Sequence, residues 1–165
     1  MDARRRTDLP HPLSGLKVVE LAEDPGGEFT GRLLAEMGAQ VIKLEPPEGS
    51  PGRRIGPFAK GQAGPDASLH FWYYNSNKES VTVDLATPKG KTALDRLLAD
   101  ADIFISTLPP RALKGIGLDL AALTDQHRKL IVLSVTAFGL TGPWADYKSS
   151  DLVGLAAGGP LNSCG

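Results

Sequence analysis

The chain has 165 residues, room for one domain of ordinary size and little for two. With 41% hydrophobic and 22% charged residues, it has the composition of a globular domain rather than a disordered one. Eighteen Lys and Arg against nineteen Asp and Glu give a net charge of −1, which argues against a nucleic-acid binder that works through a broad basic surface.

Residues 1–14 are polar and proline-punctuated and read as a flexible N-terminal arm. Lys17 to Leu21 (KVVEL) is a short β-branched run, expected to be a buried strand. Asp24-Pro25 and Gly26-Gly27 then read as a tight turn, followed by a helix over Phe29 to Met37 that stops at Gly38. Val41 to Leu44 is the second strand, which completes a βαβ unit with a parallel pair. Pro46 to Ser68 is too long for an ordinary connection and reads as a functional or mobile loop. The aromatics Phe71 to Tyr74 close it, and aromatics in such a place are more often core than a ligand wall.

Ser80 to Leu85 alternates as a third strand. Thr87 and Pro88 are an N-cap and first helical residue, and Ala93, Leu94, Leu97 and Leu98 give the helix Pro88 to Asp100 one apolar face. Ile103 to Ser106 is a fourth strand, with short helices expected at Pro110 to Lys114 and Asp119 to Thr124. Leu130 to Val135 is a fifth strand whose composition suggests burial on both faces, and Asp151 to Ala157 starts another helix. This alternation implies an α/β fold: a Rossmann-like open, mainly parallel sheet with helices on both faces.

Ligands bind such sheets beyond the carboxyl ends of the strands. The loops there begin at Ala22, Pro46, Thr107 and Thr136. Gly26, Gly27 and Gly31 lie near a helix N-terminus that could receive a phosphate, and Glu45 stands where a dinucleotide fold keeps its ribose-binding acid. The glycines lack GxGxxG spacing, however, and Asp24 and Glu28 would repel a pyrophosphate, so a nicotinamide oxidoreductase is the lesser reading. His11, His70 and His127 have no partners at ligand spacing, and one cysteine, Cys164, makes neither an internal disulfide nor a Cys-based zinc site. No metal site is expected. Lys148, in YKSSD, could meet a phosphate, although a lone lysine in a polar loop is usually just solvated. No apolar run follows Arg4-Arg5-Arg6, and none approaches the roughly 18 residues of a membrane span, so a soluble cytoplasmic protein without membrane partners is expected.

Composition and spacing alone declare no reaction, but the ordered segments carry a resemblance. GLKVVEL, LLAEMGAQVIKLEPPEG, NSNKESVTVDLATPKGK, ADIFIS and LIVLSVTAFGLTGPWAD resemble, in order, the class III CoA-transferases, the family of formyl-CoA and carnitine CoA-transferases that includes the α-methylacyl-CoA racemases. The resemblance runs from about Leu13 to Gly165. It implies the large Rossmann-like domain of an enzyme with a smaller second domain, assembled as an interlocked homodimer. It also implies transfer of CoA from an acyl-CoA donor to a carboxylic acid through an aspartyl intermediate, with CoA as substrate and no tightly bound cofactor. The family's nucleophilic aspartate lies beyond the segment resembling SSDLVGLAAGG, so residues 15–165 are expected to be the N-terminal part of the large domain, with neither nucleophile nor small domain and inactive alone. Asp151 matches an earlier acidic position, and no catalytic residue is carried over.

The resemblance carries four CoA-binding positions. Lys148 matches a lysine near the CoA phosphates, and Val83 an apolar position beside the adenine. Thr107 and Leu108 stand where the family usually has Asn-Phe. Two basic positions are occupied by Ala86 and Gly115, with Lys114 beside the latter, so much of the phosphate-binding charge is missing. Ser150 replaces the histidine of the racemase branch, which breaks its proton-transfer pair. The missing nucleophile and charges motivate an alternative, a non-catalytic subunit or relic that supports a partner chain. An incomplete domain is also expected to leave apolar surface or a sheet edge uncovered.

Overall fold

The computed structural model describes residues 11–164. Five parallel strands, β1 (Lys17–Leu21), β2 (Gln40–Glu45), β3 (Glu79–Thr82), β4 (Ile103–Ser106) and β5 (Ile131–Ser134), form one sheet in the order β3-β2-β1-β4-β5. The expected fold class is the observed one. The chain grows outward from β1 through β2 to β3, then crosses back to β4 on the other side. The strand order therefore reverses between β1 and β4, where Val18 pairs with Ile103 and Leu21 with Ser106.

Side-chain alternation sends the two halves of each central strand to different cores. Val19, Leu21, Leu44 and Phe104 face Leu94 and Leu98 of α3 (Pro88–Ala99), Leu113 of α4 (Pro110–Ile116) and Leu120 and Leu123 of α5 (Leu120–Gln126). Val18, Val41 and Ile105 face Ala35 of α1 (Pro25–Glu36) on the opposite side. Both faces of β1, β2 and β4 are thus covered, as their apolar runs require.

The helix α1 starts four residues before its expected start at Phe29. The Asp24 carboxylate accepts from the N–H groups of Gly26 (2.8 Å) and Gly27 (3.1 Å), and Pro25 occupies the first turn, so the supposed tight turn is a capped helix start. Glycine is needed here for proximity: a Cβ on Gly27 would lie 2.1 Å from Cγ2 of Thr107 and 2.9 Å from Cβ of Ala22. The expected arm ends inside a turn, in which Leu13 N–H donates to the Met37 carbonyl (3.0 Å) and Ser14 N–H to that of His11 (3.0 Å). The rest of that arm, residues 1–10, lies outside the described residues.

Two further expectations are corrected. The third strand stops at Thr82 rather than Leu85, because Val83 and Leu85 turn into the core under α3. The fifth strand is not buried on both faces: Ile131 is 64% exposed and Leu133 is exposed too, because β5 is an edge strand and α1 does not reach that far across the sheet. Leu152, Val153 and Leu155 of α6 (Asp151–Ala157), which precedes α7 (Pro160–Cys164), are likewise exposed.

The long Pro46 to Ser68 segment carries two short 3₁₀ turns, Pro51–Arg54 and Ala59–Gly61, and is anchored at both ends. Arg53 grips the Glu45 carboxylate with Nε (2.6 Å) and Nη2 (2.7 Å) and stacks over the Phe71 ring at 3.9 Å. The Ser68 hydroxyl caps α2 (Leu69–Tyr74) at Phe71 N–H (3.0 Å) and donates to the Gly52 carbonyl (2.9 Å). Of the four aromatics of α2 only Phe71 is buried; Trp72 and Tyr73 are exposed, and Arg32 of α1 lies 4.2 Å from the Tyr73 ring centre.

Candidate functional site

The carboxyl ends of β1 and β4 are joined where the strand order reverses. There the Glu23 N–H donates to Oγ1 of Thr107 (3.0 Å). Two clefts open on either side of this contact. The smaller, of about 260 Å³, has a floor of Leu21, Leu44, Val83, Leu85 and Leu108 and a rim that includes Glu23, Glu48 and Asp84. The larger, of about 740 Å³, lies between Asp24, Thr107, Arg111, Val135 and the loop from Ala145 to Ser150, and holds Lys148.

The four residues singled out from sequence fall on these two clefts. Val83, 8% exposed, and Leu108 line the smaller one; Thr107, 9% exposed, and Lys148 line the larger. Because Thr107 and Leu108 are adjacent, the β4 loop is a wall shared by both clefts. Arg111, which sequence reading passed over, lines the larger cleft beside Lys148. Its position just after Pro109-Pro110 at the start of α4 was the available signal.

Two expectations about phosphate and ribose chemistry fail on geometry. The first N–H groups of α1 are taken by Asp24, so Gly26 and Gly27 offer no free donors to a phosphate. Glu45 is 3% exposed and fully engaged: Arg53 binds both its oxygens, Ser50 N–H donates at 2.9 Å, and the Ser80 hydroxyl donates as well. Burial opposes its ionisation, but the Arg53, Ser80 and Ser50 hydrogen bonds outweigh it and hold the carboxyl at about 2. It is a clamp for the loop and has no oxygen free for a ribose.

Sequence reading also missed what seats α1. Glu20 of β1 and Lys43 of β2 are register partners, both fully buried, inside runs that look apolar. Lys43 Nζ donates to the Ala22 carbonyl (2.7 Å), to Glu28 of α1 (2.8 Å) and to Glu20 (3.3 Å). Lys78 Nζ, in the turn before β3, donates to Glu20 (2.9 Å), the Glu28 carbonyl (2.7 Å) and Asn75 (2.9 Å). Two carboxylates and two ammonium groups thus balance within one buried cluster. Burial raises the Glu20 pKa against the pull of both lysines, and burial lowers that of Lys78 against the pull of Glu20. A Cβ on Gly31 would collide with Glu20 at 1.7 Å, so glycine is what lets α1 close over the cluster. The cluster fixes α1, and through it the Asp24 edge of the larger cleft.

Ser150 accepts from Val153 N–H (3.3 Å) as the N-cap of α6, a structural task for the residue on the larger cleft that precedes Asp151. Among the described residues, no group of three or more His, Cys, Asp or Glu is placed to hold a metal ion, and no helix is long and apolar enough to cross a membrane.

Comparison with known proteins gives one consistent result. The profile of CoA-transferase family III matches residues 13–165. The chain is 40% identical over 153 residues to the succinate–glutarate CoA-transferase of Agrobacterium fabrum, covering 89% of this chain and 38% of that protein. It is 38% identical over 148 residues to subunit BbsE of the succinyl-CoA:(R)-benzylsuccinate CoA-transferase of Thauera aromatica, covering 90% and 36%. Among solved structures, a CaiB/BaiF family protein from Brucella suis is similar with a TM-score of 0.81 at 38% identity, over 92% of this chain and 40% of that one. The chain therefore spans less than two fifths of the length of these two curated relatives.

Proposed function

Because the chain belongs to CoA-transferase family III, we propose that it supplies the CoA-binding part of an enzyme that moves CoA from an acyl-CoA donor to a carboxylic acid. The observation that carries this reading is the pair of clefts at the reversal of strand order, with the four positions matched to CoA contacts divided between them. The adenine lies against Val83 and Leu108, and the diphosphate lies toward Lys148 and Arg111, across the Thr107 wall. Relatives named for succinate, glutarate and benzylsuccinate make short dicarboxylic acids the first acceptors to try.

The reaction on this reading runs through an aspartate outside residues 1–165. Its carboxylate attacks the donor thioester carbonyl, expels the CoA thiolate and forms a mixed anhydride. The thiolate then attacks the aspartyl carbonyl, releases the donor acid and leaves an aspartyl-CoA thioester. The acceptor carboxylate opens that thioester, and the freed thiolate takes the acyl group from the new anhydride, which restores the aspartate. Splitting one acyl exchange into such steps lowers the barrier of each. The residues described here bind and orient CoA throughout. The working form is an interlocked homodimer in the cytoplasm, with no cofactor retained between turnovers.

A second reading, a non-catalytic subunit supporting a partner chain, draws on the Ala86 and Gly115 positions that lack basic residues. Mixing the intact protein with succinyl-CoA and following its mass distinguishes the two. A gain equal to CoA less water, discharged by glutarate to glutaryl-CoA, is expected. Absence of both the adduct and the exchange, in the presence of the dicarboxylic acids, would overturn the first reading.

A further inference from the structure

The charges around the two clefts are unevenly placed. The smaller cleft is lined by Glu23, Glu45, Glu48 and Asp84 and by no lysine or arginine. Arg53 neutralises Glu45, which leaves three carboxylates on the rim. The larger cleft carries the lining cations, Arg111 and Lys148, beside two carboxylates held by main-chain N–H groups: Asp24 on the start of α1, and Asp146 on Arg111 N–H at 3.1 Å. CoA brings a diphosphate and, on its ribose, a 3′-phosphate with a further charge of about −2 at neutral pH. With the base in the smaller cleft and the diphosphate in the larger, the ribose sits between them and its 3′-phosphate meets the acidic rim. The apolar floor suits a flat heteroaromatic ring, and rim carboxylates can accept from its exocyclic amine. The lining of the smaller cleft holds no cation to pair with a phosphate, and Arg54, outside that lining, donates to the Glu48 and Gly49 carbonyls (3.2 and 3.4 Å).

We propose that this site does not select for the 3′-phosphate, so that acyl thioesters of 3′-dephospho-CoA are substrates on a par with those of CoA. This rests on the reading of the clefts as a CoA site. The lining cations sit only in the larger cleft, where the diphosphate lies, and the rim acids of the smaller cleft repel any further phosphate through partly solvated space. A site that recognised the 3′-phosphate with a charge-assisted hydrogen bond would favour CoA by about tenfold or more.

Titration calorimetry of the intact protein with CoA and with 3′-dephospho-CoA tests this. Affinities within threefold of one another, or tighter for the dephospho form, are expected. Tighter binding of CoA by more than threefold overturns the inference and leaves the CoA site standing, whereas absence of binding by both removes the site and the inference together. Ala86 is exposed and lines the smaller cleft, so Ala86→Lys places a cation there without disturbing the core. It is expected to shift the preference toward CoA by about tenfold, with the dephospho form little changed. An unchanged preference would show that the 3′-phosphate does not lie at this rim and would overturn the inference.

Discussion

Replacing Lys43 with methionine removes the centre of the buried charge cluster at nearly constant volume. The side chain is 1% exposed and holds Glu28 at 2.8 Å, Glu20 at 3.3 Å and the Ala22 carbonyl at 2.7 Å. Lys78 remains for Glu20, but it meets only the main-chain carbonyl of Glu28, so the Glu28 carboxylate is left buried without a cation. Breaking a buried pair from one side costs about 3–5 kcal/mol. That is a large part of the roughly 5–15 kcal/mol that holds a domain together. In urea, with a slope of about 2 kcal/mol per molar, the midpoint of Lys43→Met should fall by about 2 M. Adding Glu28→Leu removes the stranded carboxylate and should recover about half of the loss. A midpoint shift below about 0.5 M, or a double variant no better than the single one, would refute the reasoning.

Three further predictions concern the surroundings of the clefts. Glu45 has its pKa depressed from 4.5 to about 2, so it contributes stability above pH 4.5 that is lost as the pH falls toward 2, a contribution of about 3 kcal/mol. Urea unfolding at pH 6 and pH 2.5 should therefore show the gap between wild type and Glu45→Gln narrowing at the lower pH; a constant gap would contradict this. Gly27→Ala should destabilise by about 1–3 kcal/mol, because the new methyl meets Cγ2 of Thr107. Adding Thr107→Ser, which deletes that atom, should return part of the loss in the same unfolding assay. Lys148→Ala should weaken CoA binding by about tenfold and Lys148→Arg by much less, read by calorimetry, with the urea midpoint unchanged in both.

How much of this was legible in the sequence differs from element to element. The helix α3 was readable because Thr87-Pro88 marks its start and its leucines recur at helical spacing, all local signals. The β5 misreading shows the opposite: LIVLSV has the composition of a central strand, and only the topology puts it at an edge. At α1, Asp24-Pro25 is both a turn signal and a cap-plus-first-residue signal. The glycines tipped the sequence reading toward a turn, whereas their actual use is close approach to Thr107 and Glu20. Glu20 and Lys43 were hidden because each sits singly among apolar residues, and their pairing depends on a strand register that no local pattern states. The Glu45 grip on Arg53 was missed for a related reason, since it closes a loop across irregular chain. The site positions came from family resemblance, and the structure sorts them into two clefts.

The most direct test of the central claim is to follow thioester and free thiol together when the intact protein meets an acyl-CoA and a set of carboxylic acids. Transfer predicts that a new acyl-CoA appears as the donor thioester disappears, with no accumulation of free CoA. Free thiol released in step with thioester loss, or a donor left untouched by every acid, would contradict it.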